Sequence, residues 1–143
     1  MKASQVVVST SRKVLVLDDE PEIIGLIKLI LHEKYDDDVI GAVGGNEGLA
    51  KAQEHQPDLI ILDIMMPSPD GYEVCKRLKA IPEFQNVPIV FIAAKPAKDV
   101  YPMAQSLGAV GYVQEPFGPQ DLFAACNAAL SGNTYYPPFS KEG

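Results

Sequence analysis

The sequence predicts a doubly wound α/β domain, a five-stranded parallel sheet covered by helices on both faces. Two observations carry that prediction. Short apolar, β-branched runs alternate five times with segments of helical periodicity between residues 13 and 131. Most of these runs also lack the apolar–polar alternation of a half-exposed strand, which is how strands buried on both faces read. Short βα links imply right-handed crossovers, and right-handed crossovers make the strands parallel.

Taken in order, the first run is Val14 to Leu17. Pro21 suits the opening position of a helix, and Ile23, Ile27, Ile30 and Leu31 follow at helical spacing. Val39 to Val43 is the second run, followed by a helix from Gly45 to His55 with Leu49 and Ala52 inward. Leu59 to Leu62 is the third, and Tyr72 to Ala80 the third helix, with Val74, Cys75 and Leu78 as its apolar stripe. Ile89 to Ile92 is the fourth run. The segment after it carries Pro96 and Pro102, and a proline inside a helix costs ~3 kcal/mol. Irregular chain is therefore expected from Lys95 to about Tyr101, with regular helix only from near Pro102 to Leu107. Val110 to Val113 is the fifth run, and the last helix spans Pro119 to Leu130 through Leu122, Phe123, Cys126 and Leu130. Residues 1–12 and 132–143 read as tails around a domain of residues 13–131. The second tail reads as a linker or a strap over the surface, and continuation of the natural chain beyond it stays open.

At 143 residues, 47% hydrophobic and 22% charged, the chain is of ordinary globular composition and long enough for a real core. Its net charge is −7, and no Lys/Arg run exceeds a pair, which argues against a nucleic-acid surface on this domain. Cys75 and Cys126 lack metal or redox spacing and fall at apolar helix positions, so they read as reduced core thiols. The apolar run Val6 to Val8 is too short for a signal peptide, and nothing approaches the ~20 residues of a membrane span. A cytoplasmic setting is expected.

In an open parallel sheet, ligands bind beyond the carboxyl ends of the strands. Asp18 and Asp19 close the first strand and Asp63 closes the third, so neighbouring first and third strands would bring three carboxylates to one crevice. Clustered carboxylates repel unless a hard cation lies between them, and Mg²⁺ prefers oxygen ligands. Asp19 and Glu20 could instead cap the first helix, a role that would account for only some of the three carboxylates. After Asp63, Ile64-Met65-Met66-Pro67-Ser68-Pro69-Asp70-Gly71 contains strong turn signals and predicts a rigid loop.

That loop resembles the signature of response-regulator receiver domains: an Asp, two residues, Met-Pro, two residues, then Asp-Gly. Asp18-Asp19-Glu20-Pro21 is similar to the receiver's acidic pocket, and the interval from Asp19 to Asp63 suits the family. Gly108-Ala109, Tyr112 and Pro116-Phe117 resemble its fifth strand and following turn. The resemblance covers about residues 13 to 131. It implies a flavodoxin-like (βα)5 fold with strand order 2-1-3-4-5 and a phosphoacceptor signalling domain rather than an enzyme. It also implies Asp63 as phosphoacceptor, and Mg²⁺ held by Asp18, Asp19, Asp63 and the Met65 backbone carbonyl. The implied partners are a sensor histidine kinase or phosphotransfer protein, and an output domain or partner protein. A metal is needed there because a carboxylate is a poor nucleophile towards a dianionic phosphoryl group.

Two positions depart from the family pattern. The fourth strand of receivers ends in Thr or Ser, and Ala93 stands there, with no hydroxyl to bond a phosphoryl oxygen. A Lys normally precedes the Pro-Phe pair, and Glu115 stands there. At about 4 Å and an effective dielectric of about 20, a unit-charge contact is worth about 4 kcal/mol, here with its sign reversed. Three arrangements stay open. Glu115 swings into solvent and leaves a weakened acceptor, Lys95 reaches across as surrogate cation, or the domain is a pseudo-receiver kept for protein–protein contact. Tyr112 occupies the aromatic switch position and reads equally as a strand-end tyrosine packed on the sheet. Met65 stands where an aspartyl-phosphate phosphatase needs a second acid. His32 and His55 fall near helix C-termini, where a cation suits the dipole. Gly44-Gly45-Asn46-Glu47-Gly48 reads as a helix-start turn rather than a nucleotide cradle.

Overall fold

A computed structural model of the chain describes residues 12–34 and 38–139. Its elements alternate as the apolar runs predict: β1 (Lys13–Asp18), α1 (Pro21–Lys34), β2 (Asp38–Val43), α2 (Gly45–His55), β3 (Leu59–Asp63), α3 (Gly71–Lys79), a 3-10 turn (Pro82–Phe84), β4 (Ile89–Ala93), α4 (Ala97–Ser106), β5 (Gly111–Gln114) and α5 (Pro119–Leu130). All strand pairs are parallel, in the order β2-β1-β3-β4-β5. Every residue of β3 and β4 is buried, which is why these strands read as unbroken apolar runs.

The sheet divides the core in two. Leu15, Leu17, Ile60, Leu62 and Phe91 face α2, α3 and α4 through Ala52, Val74, Cys75, Leu78, Val100 and Ala104. Val14, Val16, Ile61, Val90, Ile92 and Val113 face α1 and α5 through Ile27, Leu31, Leu122, Ala125 and Cys126. Each fully buried Leu, Ile or Val contributes ~1.5–3 kcal/mol of transfer free energy, so both layers are strongly driven. Both cysteines are buried and not joined in a disulfide, and burial raises the Cys75 thiol to about 11.

The fourth helix corrects the proline argument. Regular helix begins at Ala97, capped by Pro96, and runs through Pro102 to Ser106. Pro102 has no N–H to give to the Lys98 carbonyl one turn back. Both residues lie on the exposed side of α4, so the missing hydrogen bond falls on the solvent-facing side of the helix. Ala97, Val100 and Ala104 are buried on the other side. Burial of that stripe outweighs the lost hydrogen bond, so helix runs from Ala97 through Tyr101 and only Lys95 and Pro96 stay outside regular structure. The segment after α5 lies along the edge of β5, where Tyr135 forms a parallel bridge with Gly111.

Candidate functional site

The 2-1-3-4-5 order makes β1 and β3 neighbours, with Leu17 paired to Leu62. The next residue on each strand is therefore an aspartate at the C-terminal edge of the sheet. Asp18 is 2% exposed and Asp63 7%, whereas Asp19 is exposed. One carboxylate oxygen from each of the three lies within 4.8 Å of the others. Backbone donors hold part of the set: Glu20 N–H donates to Asp18 Oδ1 at 2.9 Å, and Met65 N–H donates to Asp63 Oδ1 at 3.0 Å. Asp18 Oδ2 is buried with no hydrogen-bond partner.

Burial pushes the Asp18 carboxyl up to about 8, against the Glu20 N–H, and the charges of Asp63, Glu115 and Asp19 add to the rise. Asp63 is also raised, first by burial, with the Met65 N–H opposing and the charge of Asp19 adding. Desolvated like charges this close favour protonation unless a cation neutralises them. An all-oxygen set with one buried oxygen left unsatisfied fits a hard divalent cation such as Mg²⁺.

The loop after Asp63 is held by short-range geometry. Ile64 N–H donates to the Ile92 carbonyl at 3.0 Å, and Gly71 N–H donates to the Ile64 carbonyl at 3.1 Å. Asp70 caps α3 by accepting the Glu73 N–H at 2.9 Å. A Cβ at position 71 would stand 2.3 Å from the Asp63 carbonyl oxygen, so α3 starts this close to the site only because Gly71 has no side chain. The sequence reading took Asp70-Gly71 as a turn and missed this contact; the glycine directly after a cap residue was the available signal.

The remaining site positions separate into two groups. A cleft of about 270 Å³ is lined by Asp18, Asp19, Glu20, Asp63, Met65, Ala93, Ala94 and Glu115. Glu115 is thus a wall of the cleft, half-buried rather than swung into solvent, and its backbone N–H donates to the Ala93 carbonyl at 2.7 Å. Burial raises its carboxyl, and the charges of Asp63 and Glu20 raise it further. Lys95 is half-buried on the loop after β4 and is not among the residues lining the cleft. Tyr112 does not line it either. Its ring is buried at 2% exposure, and its hydroxyl reaches the Ala93 and Lys95 carbonyls at 2.9 and 2.5 Å. The structure therefore gathers Asp18, Asp19, Asp63, Met65, Ala93 and Glu115, and leaves Lys95 and Tyr112 behind them.

This arrangement has known counterparts. Residues 14–127 match the family model of the response regulator receiver domain. The chain is 38% identical over 131 residues to the alkaline phosphatase synthesis transcriptional regulatory protein PhoP of Bacillus subtilis, covering 92% of this chain and 53% of that protein. It is 35% identical over 127 residues to the DNA-binding response regulator MtrA of Mycolicibacterium smegmatis, covering 88% of this chain and 54% of that protein. The chain thus spans about half the length of these curated relatives. Among solved structures, the Vibrio cholerae chemotaxis protein CheY4 superposes with a TM-score of 0.78 at 30% identity, covering 85% of this chain and all of that one. A response regulator described as putative, from Chloroflexus aurantiacus, superposes with a TM-score of 0.80 at 28% identity, covering 85% of this chain and 99% of that one.

Proposed function

The chain belongs to the response-regulator receiver family of two-component signalling, and on that footing we propose that Asp63 is its phosphoacceptor. The observation that carries this reading is the unsatisfied, buried Asp18 Oδ2 beside Asp19 and Asp63. Asp18, Asp19, Asp63 and the Met65 carbonyl would hold Mg²⁺, which when bound screens the carboxylate from the incoming phosphoryl group and stabilises its equatorial oxygens. The donor is a phosphohistidine of a sensor kinase or phosphotransfer protein. An Asp63 oxygen forms the new P–O bond as the P–N bond breaks, and the departing imidazole keeps the electron pair and takes a proton. The Met65 N–H and the short loop to Gly71 hold the Asp63 carboxylate in place for that attack. Residues 13–131 form the receiver unit in this reading, and an output domain or a separate partner reads its state, in a cytoplasmic setting. Among the described residues no helix is long and apolar enough to cross a membrane.

A second reading is favoured by Ala93 and Glu115 both lining the cleft. With a methyl in place of a hydroxyl and a carboxylate in place of an ammonium, a phosphoryl group meets no side-chain partner on β4 or β5. The domain would then be a pseudo-receiver, a binding module of fixed conformation. Incubation with acetyl phosphate and Mg²⁺, followed by intact-mass measurement, separates the two. One phosphoryl increment that disappears in Asp63→Asn supports the acceptor. No increment, with Mg²⁺ still raising the melting temperature, leaves the binding module.

A further inference from the structure

The edge of a sheet presents unpaired backbone groups that invite another strand. In this protein the edge strand β5 is already met by the chain's own tail. Tyr135 N–H donates to the Val110 carbonyl at 2.7 Å, and Tyr112 N–H donates to the Tyr135 carbonyl at 3.1 Å. Gly111 lies between them, and a Cβ there would stand 2.9 Å from the Tyr135 carbonyl oxygen. The side chains continue the contact. Tyr136 donates its hydroxyl to the Ala109 carbonyl at 2.6 Å, and Tyr101 of α4 donates its hydroxyl to the Pro137 carbonyl. The Tyr101 ring makes edge contacts with Tyr136 at 5.0 Å, Phe139 at 5.6 Å and Tyr112 at 6.2 Å between centroids. Tyr112 thus meets the tail directly through its own amide and indirectly through Tyr101 of α4.

We propose that residues 133–139 are a strap that serves as the built-in ligand of the face formed by α4, β5 and α5, and that strap docking and the inward position of Tyr112 are one coupled state. A partner protein or a second copy then reaches this face only by displacing the strap. The inference stands on packing alone and holds whether or not Asp63 takes up phosphate. Edge contacts of this kind are individually weak, so a strap held by a few of them is docked yet displaceable. Parallel strand addition supplies the register and the aromatic side chains supply the specificity.

The test uses the full chain. Tyr135→Pro removes the N–H given to Val110 together with the ring that packs on the α1/α5 layer, and Gly111→Val obstructs the same seat from the domain side. Amide hydrogen exchange and ring resonances of Tyr112 are read by NMR, and association by sedimentation. The unaltered chain is expected to be monomeric, with the Tyr112 amide protected. In Tyr135→Pro that amide should exchange at least about tenfold faster and the Tyr112 ring resonances should move, with β3 amides unchanged. Gly111→Val should reproduce both effects. Unchanged Tyr112 protection in Tyr135→Pro would overturn strap docking. Faster exchange with unmoved Tyr112 ring resonances would overturn the coupling, and self-association of the unaltered chain through this face would overturn the claim that the face is taken.

Discussion

Replacing Asp18 with Asn removes the buried carboxylate whose second oxygen has no partner, and the consequence is calculable in chelator. Without a cation, the Asp18 carboxyl lies at about 8 in the folded protein against an ordinary 3.8, chiefly through burial. The folded state therefore keeps a proton that the unfolded chain has already released across that window. Stability falls as pH rises from about 4 to about 8 and levels off above, because the native state binds more protons. At about 1.4 kcal/mol per pH unit the ceiling is about 6 kcal/mol. Proton sharing with Asp63 and screening in the open cleft bring the expected loss nearer 2 kcal/mol. The asparagine oxygen still accepts the Glu20 N–H and carries no charge. The variant should therefore have a flatter pH profile and, at about pH 8 in chelator, melt about 6 °C above the parent, at about 3 °C per kcal/mol. Excess Mg²⁺ should reverse the order by stabilising the parent by ~2.7 kcal/mol at a hundredfold excess over its dissociation constant. Thermal melts with EDTA or Mg²⁺ between about pH 5 and about pH 9 measure this. An Asn variant that melts below the parent in EDTA at the alkaline end, or shares its slope, refutes the assignment of the cost to this carboxylate.

Three further outcomes follow from the geometry. Acetyl phosphate with Mg²⁺ should shift backbone amides only around Asp63 in the parent, because a ligand moves an equilibrium only by its differential affinity for the two states. Ala93→Thr combined with Glu115→Lys should extend those shifts into β5 and α5, and releasing the strap with Tyr135→Pro should extend them further; wide shifts in the parent would contradict this. Pro102→Ala restores the donor to the Lys98 carbonyl and should stabilise the protein by about 1–2 kcal/mol in urea titrations, part of the ~3 kcal/mol difference between Pro and Ala inside a helix. Gly71→Ala puts a methyl against the Asp63 carbonyl and should cost about 2 kcal/mol or more, with weaker Mg²⁺ stabilisation. Equal stability in either of these two variants, measured by urea titration, would show that the local contact is not the controlling one.

The sheet and its helices were legible because burial on both faces leaves a mark in one dimension. A strand such as Ile89–Ala93, buried throughout, has no polar alternation, and the amphipathic stripe of α3 repeats at helical spacing. Asp18, Asp19 and Asp63 were legible for a related reason. Each ends a strand or follows one directly, and a parallel sheet carries all strand ends to one edge. The departures at Ala93 and Glu115 were visible only through the resemblance to receiver domains, which sets the residues expected at those two positions.

What sequence could not settle was how side chains distant along the chain share space. The course of α4 depended on whether burial of Ala97, Val100 and Ala104 outweighs one missing hydrogen bond, a comparison that needs the sheet and α4 in place together. The stance of Glu115 in the cleft, the distance of Lys95 from it and the burial of Tyr112 under Tyr101 are likewise tertiary facts. Residue type fixes which groups can ionise or donate, whereas burial and the charges alongside decide which do. The tail makes the same point. Its Tyr, Pro and Phe residues fit a linker or a strap equally well, and only the free edge of β5, with Gly111 leaving room for Tyr135, turns them into a strap.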